Sequence, residues 1–279
     1  MRLRALFPRS RSRVLHWFAG LAAAGFALLA YVYLTLPDVR PLAAANPATT
    51  AFMELRAAEA RAAGRAPRRA HRWVRYDRIA ETLKRAVLVA EDARFWRHEG
   101  VDYDELRASI ETNLERGRFA RGGSTITQQL AKNLYLSPAR SPLRKLRELI
   151  LARRLEAALT KRRILELYLN VVEWGDGIYG AEAAARAYFG KPASALDAGE
   201  AALLAAALVN ARALSPARPT PRLLRRQRLI LRRMGIAGPP APAGSREPDA
   251  DSREPAHGFP ALHESSTFRQ SSSPRANGR

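Results

Sequence analysis

Residues 86–100 read AVLVAEDARFWRHEG, an apolar run that leads directly into two adjacent carboxylates, Glu91 and Asp92. Apolar residues recur at helical spacing from Ile79 to Ala90, so the pattern predicts an amphipathic helix that packs against a core and ends at Glu91. Such a helix can hold a carboxylate in a fixed and partly desolvated position, as a catalytic acid or base requires. The alternative is an ordinary solvated helix end.

A second polar segment, GGSTITQQLAKN, occupies residues 122–133. Ser124 or Thr125 is predicted to cap the helix that follows the Gly-Gly turn, and a helix N-terminus is a ready site for an anion. Four polar residues share one stripe of this helix by their spacing: Thr125, Gln129, Lys132 and Asn133. An ordinary polar surface is the alternative interpretation.

A third segment, RKLRE at residues 144–148, places Arg144 four residues and Lys145 three residues before Glu148. These spacings bring the three side chains to one side of a helix. An exposed ion pair of this kind stabilises a helix by only ~0.3–0.5 kcal/mol. Lysine is rare in this chain, because only five of the 47 basic residues are lysines. Two of these five are Lys132 and Lys145, which favours a functional role for them beside Glu148.

The formal net charge of +21 predicts attraction to polyanions, which include nucleic acid, anionic lipid headgroups and phosphorylated substrates. The charge alone does not choose among them. The sequence has no cysteine, which excludes disulfides and thiolate metal sites, and it has no HExxH metal motif. With 279 residues, the chain is long enough for a domain with a substantial core.

The N-terminus combines a basic segment with an apolar one. Residues 1–13 contain five arginines and no acid, and residues 17–36 contain no charged side chain. As a helix, a segment of this length spans about 30 Å, the thickness of the hydrocarbon core of a bilayer. We therefore predict a cytoplasmic N-terminus at 1–13 and a single transmembrane helix at 14–36. A cleaved signal peptide, favoured by the alanines at 43–45, is the alternative.

The rest of the chain is predicted to be mainly α-helical, because strand patterns are nearly absent. Residues 37–72 form a proline-marked linker and a membrane-proximal helix, residues 73–236 form the main domain, and residues 237–279 form a disordered tail. Residues 175–180, which are rich in glycine, should form a flexible or sharply turned segment. The alanine-rich helix that ends at Val209 should be buried centrally. Helix N-caps are predicted at Asp77, Ser141, Thr160 and Asp197.

Together, these segments predict a site for group transfer. A desolvated carboxylate at Glu91 can serve as a general base near neutral pH. A cluster of Lys132, Arg144 and Lys145, steadied by Glu148, suits a diphosphate leaving group because cations stabilise the charge that develops on phosphate oxygens. The position of this site beside a membrane anchor indicates a lipid-linked donor.

Four ordered motifs, EDxxFxxHxG, GSTITQQxxKN, RKxxE and KxxILExYLN, occupy residues 91–100, 123–133, 144–148 and 161–170. In order and spacing they resemble the motifs of the family 51 peptidoglycan glycosyltransferases, and the resemblance covers residues 73–234. It implies a lysozyme-like helical fold of two lobes with a cleft between them. It also implies polymerisation of lipid II through β-1,4 bonds, with release of undecaprenyl diphosphate, for cell wall synthesis.

The resemblance also implies roles for individual residues. Glu91 would be the general base that deprotonates the acceptor 4-hydroxyl, and Glu148 a second acid near the diphosphate that acts through a divalent cation or through neighbouring cations. Sugar and diphosphate would be bound by Ser124, Thr125, Gln129, Lys132, Asn133, Arg144 and Lys145. The turn at Glu91 would be supported by Asp92, Phe95 and His98. No tightly bound cofactor is implied, Mg²⁺ or Mn²⁺ is compatible with the reaction, and the loop at 116–123 would be a mobile gate.

The implied setting is the inner membrane of a Gram-negative cell, with the catalytic domain in the periplasm. Partners would be lipid II, the growing glycan strand and other cell-wall synthesis or division proteins, whereas nucleic acid lies on the opposite side of the membrane. Two alternatives stay open: a hydrolase of the same shape with Glu91 as general acid, against which the cation cluster argues, and a membrane-anchored polyanion-binding module. The family often has Pro-Asn-Pro where this chain has VNA at 209–211, so the local turn is not predicted.

Overall fold

The computed structural model describes residues 9–115, 123–139 and 141–236. The prediction of a mainly helical chain with one N-terminal apolar helix is confirmed. The two-lobed, lysozyme-like shape stays a prediction. The predicted disordered tail at 237–279 and, except for Gly123, the predicted gate lie outside the described residues.

The described part contains ten α-helices: α1 (Arg9–Thr35), α2 (Ala51–Ala62), α3 (Glu81–Glu91), α4 (Tyr103–Glu115), α5 (Ile126–Tyr135), α6 (Pro142–Ala158), α7 (Lys161–Val171), α8 (Ala181–Phe189), α9 (Ala198–Ala207) and α10 (Pro221–Arg233).

The alanine-rich helix α9 lies in the core, as its composition predicts. Residues 201–207 are buried, and α3 and α10 both pack against α9 and contact each other. The distance between packed helices depends on the side chains at the contact, and alanine allows a close approach. This packing brings the end of α3, where Glu91 lies, beside α10. On the other side, α5 packs against α6, α7 and α2.

Helix starts follow the predicted capping chemistry at most positions. Side-chain oxygens of Thr125, Ser141, Thr160 and Asp197 accept hydrogen bonds from backbone N–H groups of α5, α6, α7 and α9, respectively. The predicted cap at Asp77 is wrong. Residue Ala80 precedes α3 without a side-chain hydrogen bond, and Asp77 instead lies in a 3₁₀ turn where its carboxylate pairs with Arg162. Proximity to the helix was insufficient, because a cap must lie directly before the first turn.

A small sheet, which the sequence did not predict, connects the start of the domain to its middle. Its order is β1 (Ala70–His71), β3 (Ile178–Tyr179), β2 (Glu173–Gly175); β1 is parallel to β3, and β2 is antiparallel to β3. Strands this short cannot show the alternation that identifies a strand. Residues 175–180 were predicted to be flexible or sharply turned, and the structure shows a turn: residues 176 and 177 connect β2 to β3. At Gly180, φ is +83° and a Cβ would lie 2.6 Å from the carbonyl oxygen of Asn170, so glycine is required.

Asn170, on α7, connects this helix to the segment around Val74 by hydrogen bonds. Its Nδ2 donates to the carbonyls of Val74 and Glu166, and its Oδ1 accepts from the Val74 N–H, all at 2.9 Å. We expect Asn170→Ala to lower the free energy of unfolding by about 2–4 kcal/mol, because backbone groups of Val74 lose their partners. Urea unfolding of the purified protein would measure this change. Asn210→Ala, at an exposed position, is the control, and an equal effect of both substitutions would contradict the role of Asn170.

The N-terminal helix meets the rest of the chain through α6. Val14–Thr35 is long and apolar enough to cross a membrane. Arg154 donates from Nη2 to the carbonyl oxygen of Tyr33 at 2.6 Å, and its guanidinium lies 4.0 Å from the centroid of the Tyr33 ring. Leu42, in the predicted linker, and Met53, in the predicted membrane-proximal helix, are buried in the same core as residues of α3, α5 and α7. Both parts of the segment at 37–72, the linker and the helix, therefore pack against the domain.

Candidate active site

A cleft of about 650 Å³ lies where the end of α3 meets the start of α5 and the face of α10. Glu91 is the last residue of α3 and contributes to the wall of this cleft. The polar lining also includes Asp92, Arg94, Asp102, Glu105, Ser124, Thr125, Gln129, Arg226 and Arg233. The fold thus brings three of the predicted binding residues, Ser124, Thr125 and Gln129, next to the predicted base.

The carboxylate of Glu91 is largely removed from water, because its side chain is only 14% exposed. Gln129 donates from Nε2 to Oε2 of Glu91 at 3.0 Å, and Nη2 of Arg226 lies 3.6 Å from Oε1. Burial raises the pKa of Glu91, while the hydrogen bond from Gln129 and the charges of Arg226 and Lys132 oppose this rise. The net shift is upward, in the direction that suits a general base near neutral pH.

The raised pKa predicts that Glu91→Gln stabilises the protein at pH 7. The folded chain holds the proton of such a carboxyl more tightly than the unfolded chain does. The fold therefore has its full stability below the pKa of the unfolded chain, about 4.3. It loses this contribution to the free energy of unfolding as the pH rises through the higher pKa of the folded chain. Removing the charge should therefore raise the melting temperature at pH 7 and have less effect below pH 4. Thermal unfolding at both pH values tests this, and a less stable variant at pH 7 would contradict it.

A buried tyrosine sets the orientation of the Gln129 amide. Tyr168 is fully buried and donates from Oη to Oε1 of Gln129 at 2.9 Å. Because Oε1 is occupied in this way, Nε2 is the group that faces Glu91. The chain Tyr168–Gln129–Glu91 therefore links α7, α5 and α3 and directs an N–H donor at the carboxylate.

We expect Gln129→Met to move the acidic limb of the kcat/KM profile to higher pH. The hydrogen bond from Gln129 favours the charged form of Glu91, so its loss leaves the effect of burial less opposed. Steady-state rates measured between pH 4 and 9 would show the shift. Tyr168→Phe is the companion variant: it keeps the amide but frees its orientation, and it should shift the limb less in the same direction. An unchanged limb in Gln129→Met would contradict the assignment.

The predicted supporting residues lie directly behind the turn at Glu91. Oδ2 of Asp92 accepts from the backbone N–H of Ile126 at 2.9 Å, and Nε2 of His98 lies 3.0 Å from Oδ1 of Asp92. Phe95 is fully buried, with Nζ of Lys161 4.5 Å from its ring centroid. Asp92 thus joins the end of α3 to the start of α5, which is the geometry expected of a positioning residue.

Two predicted binding residues use their side chains within the protein. The hydroxyl of Thr125, which is 3% exposed, donates to the carbonyl oxygen of Gly100 at 2.6 Å and accepts from the N–H of Gln128. Asn133 is 6% exposed and donates from Nδ2 to the carbonyl oxygen of Gln129 at 2.8 Å. For both side chains these bonds favour a structural contribution to the site, and contact with substrate stays a prediction.

The third predicted segment forms a compact cluster of charges. Glu148 is buried on α6, and its two oxygens accept hydrogen bonds from Nη1 of Arg144 and Nζ of Lys145, each at 2.5 Å. Nζ of Lys145 also donates to Oε1 of Gln128 at 3.0 Å and lies 3.4 Å from Oγ of Ser124. Because Ser124 also lines the cleft, the cation cluster adjoins the site of Glu91.

The negative charges of Glu148 and Glu91 both act on the ammonium group of Lys132. The pKa of Lys132 is lowered, first by burial and then by the charges of Arg144 and Lys145, while the charge of Glu148 and, more weakly, that of Glu91 oppose this shift. Its Nζ is 5.7 Å from the ring centroid of Phe52 on α2, a distance at which an ammonium is attracted to the ring face. Within the described residues Lys132 has no ion pair, so its cation is available to an anionic ligand.

The sequence analysis did not assign Phe52, Tyr168 or Arg226 to the site, nor four other polar residues that line the cleft: Arg94, Asp102, Glu105 and Arg233. Tyr168 belongs to the KxxILExYLN motif, so the sequence marked its position. Nothing in the motif indicated that its hydroxyl would bind Gln129. Arg226 is one of several arginines on α10, and nothing in the local pattern distinguishes it. Phe52 lies on the membrane-proximal helix, outside the segment where site residues were expected.

Comparison with known proteins agrees with this geometry. A family model described as Transglycosylase matches residues 58–235. The biosynthetic peptidoglycan transglycosylase of Laribacter hongkongensis is 50% identical over 195 residues, which are 70% of this chain and 86% of the relative. The protein of the same name from Chromobacterium violaceum is 46% identical over 223 residues, which are 80% of this chain and 97% of the relative. That of Thiobacillus denitrificans is 47% identical over 221 residues, which are 79% of this chain and 95% of the relative. The chain belongs to the transglycosylase family.

Proposed function

We propose that this chain is a peptidoglycan glycosyltransferase that polymerises lipid II during cell wall synthesis. The family match and the relatives' names support the activity. The observation that carries the residue assignment is the pairing of two neighbouring sites: a desolvated carboxylate with a raised pKa, Glu91, and a cation cluster around Glu148. A base and an anion site side by side suit transfer of a sugar from a diphosphate donor.

In the proposed reaction, Glu91 takes the proton of the acceptor 4-hydroxyl while that oxygen attacks the anomeric carbon of the donor. The bond between this carbon and the diphosphate oxygen breaks, and the electron pair leaves with undecaprenyl diphosphate. Arg144, Lys145 and Lys132 stabilise the charge that develops on the leaving phosphate oxygens. Glu148 holds Arg144 and Lys145 in place through hydrogen bonds to its two oxygens.

A glycan hydrolase is the second candidate, because a carboxyl group with a raised pKa can also serve as a general acid. The cation cluster favours the transferase. A glycosidase has no diphosphate to stabilise, whereas Lys132, Arg144 and Lys145 would place three positive charges around a single carboxylate, Glu148.

The proposal places the chain in the inner membrane as a single-pass protein with its N-terminus in the cytoplasm and its catalytic domain in the periplasm. It is supported by the apolar helix Val14–Thr35 and by the arginines of residues 1–13. A periplasm-dependent reporter fused after residue 279 should be active, and a cytoplasmic C-terminus would contradict this orientation. Other cell-wall synthesis or division proteins are proposed partners for recruitment.

The described residues do not form a metal site by themselves. They contain no group of three or more His, Cys, Asp or Glu side chains that could hold an ion, and both oxygens of Glu148 are bonded to cations. Mg²⁺ is often bound through one or two carboxylates together with substrate phosphates. If Mg²⁺ or Mn²⁺ contributes at Glu148, the diphosphate must therefore supply most of its ligands, and no step above depends on it.

The test is incubation of the purified full-length protein with labelled lipid II, with and without Mg²⁺ and with a phosphoglycolipid inhibitor. Separation of the products by size should show glycan polymer that disappears with the inhibitor. Absence of polymer together with shortening of added glycan would mean that the chain is a hydrolase.

A further inference from the structure

A second cavity, of about 410 Å³, lies outside the site described above. It is lined by residues of α2, of the segment after it, of the β2–β3 turn and of the chain beyond α9, and it is open to solvent. Four of its lining side chains are arginines, and we call it the arginine cavity: Arg56, Arg65, Arg68 and Arg212. The two acids in its lining are Glu59 and Asp176. No residue lines both this cavity and the catalytic cleft.

Ion pairs engage two of the four arginines of the arginine cavity, Arg56 and Arg212. Arg56 contacts Glu59 at 2.8 Å and Glu173, which lies outside the lining, at 3.2 Å. Arg212 lies 3.8 Å from Glu59 and 3.7 Å from Asp176. The acids are thus engaged by Arg56 and Arg212. In the part of the chain that the structure describes, Arg65 and Arg68 have no ion pair, and both are exposed. A ligand with two negative charges would balance them.

One turn of the chain separates the arginine cavity from the catalytic cleft. Val209 lines the cleft and Arg212 lines the cavity. Three residues span at most about 11 Å even when fully extended. A branch of a few residues on a substrate held in the cleft is therefore long enough to reach the cavity past this turn.

A buried hydroxyl lies close to the charged groups of the cavity. Tyr179 is 1% exposed, and its Oη has no hydrogen-bond partner within the described residues. Burial raises the pKa of Tyr179 to about 12, and the charges of Glu173, Arg56 and Arg212 also act on it. The hydroxyl therefore stays protonated and is a hydrogen-bond donor without an acceptor among the described residues, next to the lining of the cavity but not part of it.

We propose that the arginine cavity binds the free carboxylates of the peptide that a peptidoglycan precursor carries, with Arg65 and Arg68 as the two contacts. This inference rests on the proposed function and adds a peptide subsite to it. The guanidinium fork of arginine matches a carboxylate in shape and charge. An acidic segment of a partner protein has the same chemistry, and the experiment below separates the two sources.

The experiment compares two forms of labelled lipid II with the full-length protein in detergent micelles. One form keeps the peptide carboxylates, and in the other they are converted to neutral amides. The test variant is Arg65→Gln/Arg68→Gln. The control variant is Arg78→Gln/Arg85→Gln, which removes the same charge at exposed positions outside both cavities.

For the substrate with carboxylates, the test variant should raise KM about fivefold, the size expected of two exposed ion pairs, with kcat within twofold of wild type. The amidated substrate should show the same increase with wild-type protein and no further increase with the test variant. This non-additivity would locate the contact between the two arginines and the carboxylates. The control variant should resemble wild type with both substrates.

Three outcomes would overturn the inference. An unchanged KM in the test variant would exclude a contribution of Arg65 and Arg68 to substrate binding. An equal loss with both substrates would indicate a general effect of charge. Loss of binding to an added acidic peptide, with a KM that does not depend on amidation, would assign the cavity to a partner protein. If wild-type protein forms no polymer from either substrate, the proposed function itself fails.

Discussion

Replacing Glu91 with glutamine is expected to lower kcat/KM for glycan polymerisation by about 10²–10⁴-fold, the usual contribution of a general base. Glutamine has nearly the same size but cannot accept the proton of the acceptor hydroxyl. The surrounding contacts favour an intact site, because Gln129 and Arg226 both approach position 91 from other helices. The loss should appear mainly in kcat, since Glu91 acts on the reacting hydroxyl and the diphosphate cluster is unaltered.

The matched control is Glu99→Gln, in the segment that follows Glu91. Glu99 is exposed, and its contact with Arg153 is 3.6 Å long, so this substitution should leave the rate within twofold of wild type. Polymerisation of labelled lipid II measures both variants, and circular dichroism confirms that each is folded. Substantial activity in Glu91→Gln would remove this residue from the role of base and leave the reaction without an assigned proton acceptor.

Replacing Lys132 with alanine is expected to lower kcat/KM by about 10²-fold, as is typical when one donor to a developing anion is removed. Lys132 is the cation on which the charges of both Glu148 and Glu91 act. Its loss should weaken use of the diphosphate donor more than that of the acceptor. The fold should survive, because Lys132 has no ion pair among the described residues and alanine favours the helix.

Lys191→Ala is the control for Lys132. Lys191 pairs with Glu200 at 2.8 Å and is absent from the lining of the cleft, so polymerisation should be unaffected. Lys132→Arg keeps a cation and should recover part of the activity. Wild-type kinetics in Lys132→Ala, or equal effects of the two alanine substitutions, would contradict the assignment of Lys132 to the diphosphate. Donor and acceptor concentrations varied separately would show which substrate is affected.

The helices and most of their ends were predictable from the sequence because the signals are local. The amphipathic period that ends at Glu91 requires only neighbouring residues, and so do the caps at Ser141, Thr160 and Asp197. The spacing of Arg144, Lys145 and Glu148 on one helix likewise brings them together in any fold that keeps the helix. The resemblance of the motifs added what spacing alone could not, namely the reaction.

Contacts between distant segments were decided by the tertiary structure. Arg226 reaches Glu91 only because α3 and α10 pack against the same small-residue helix, α9. The hydroxyl of Thr125 turns away from the polar stripe towards Gly100 because the start of α5 packs against the turn after Glu91. Likewise, Tyr168 orients Gln129 across two helices. Amino-acid spacing determines which residues share a face of one helix, whereas the side chains that complete a catalytic site depend on how separate helices pack.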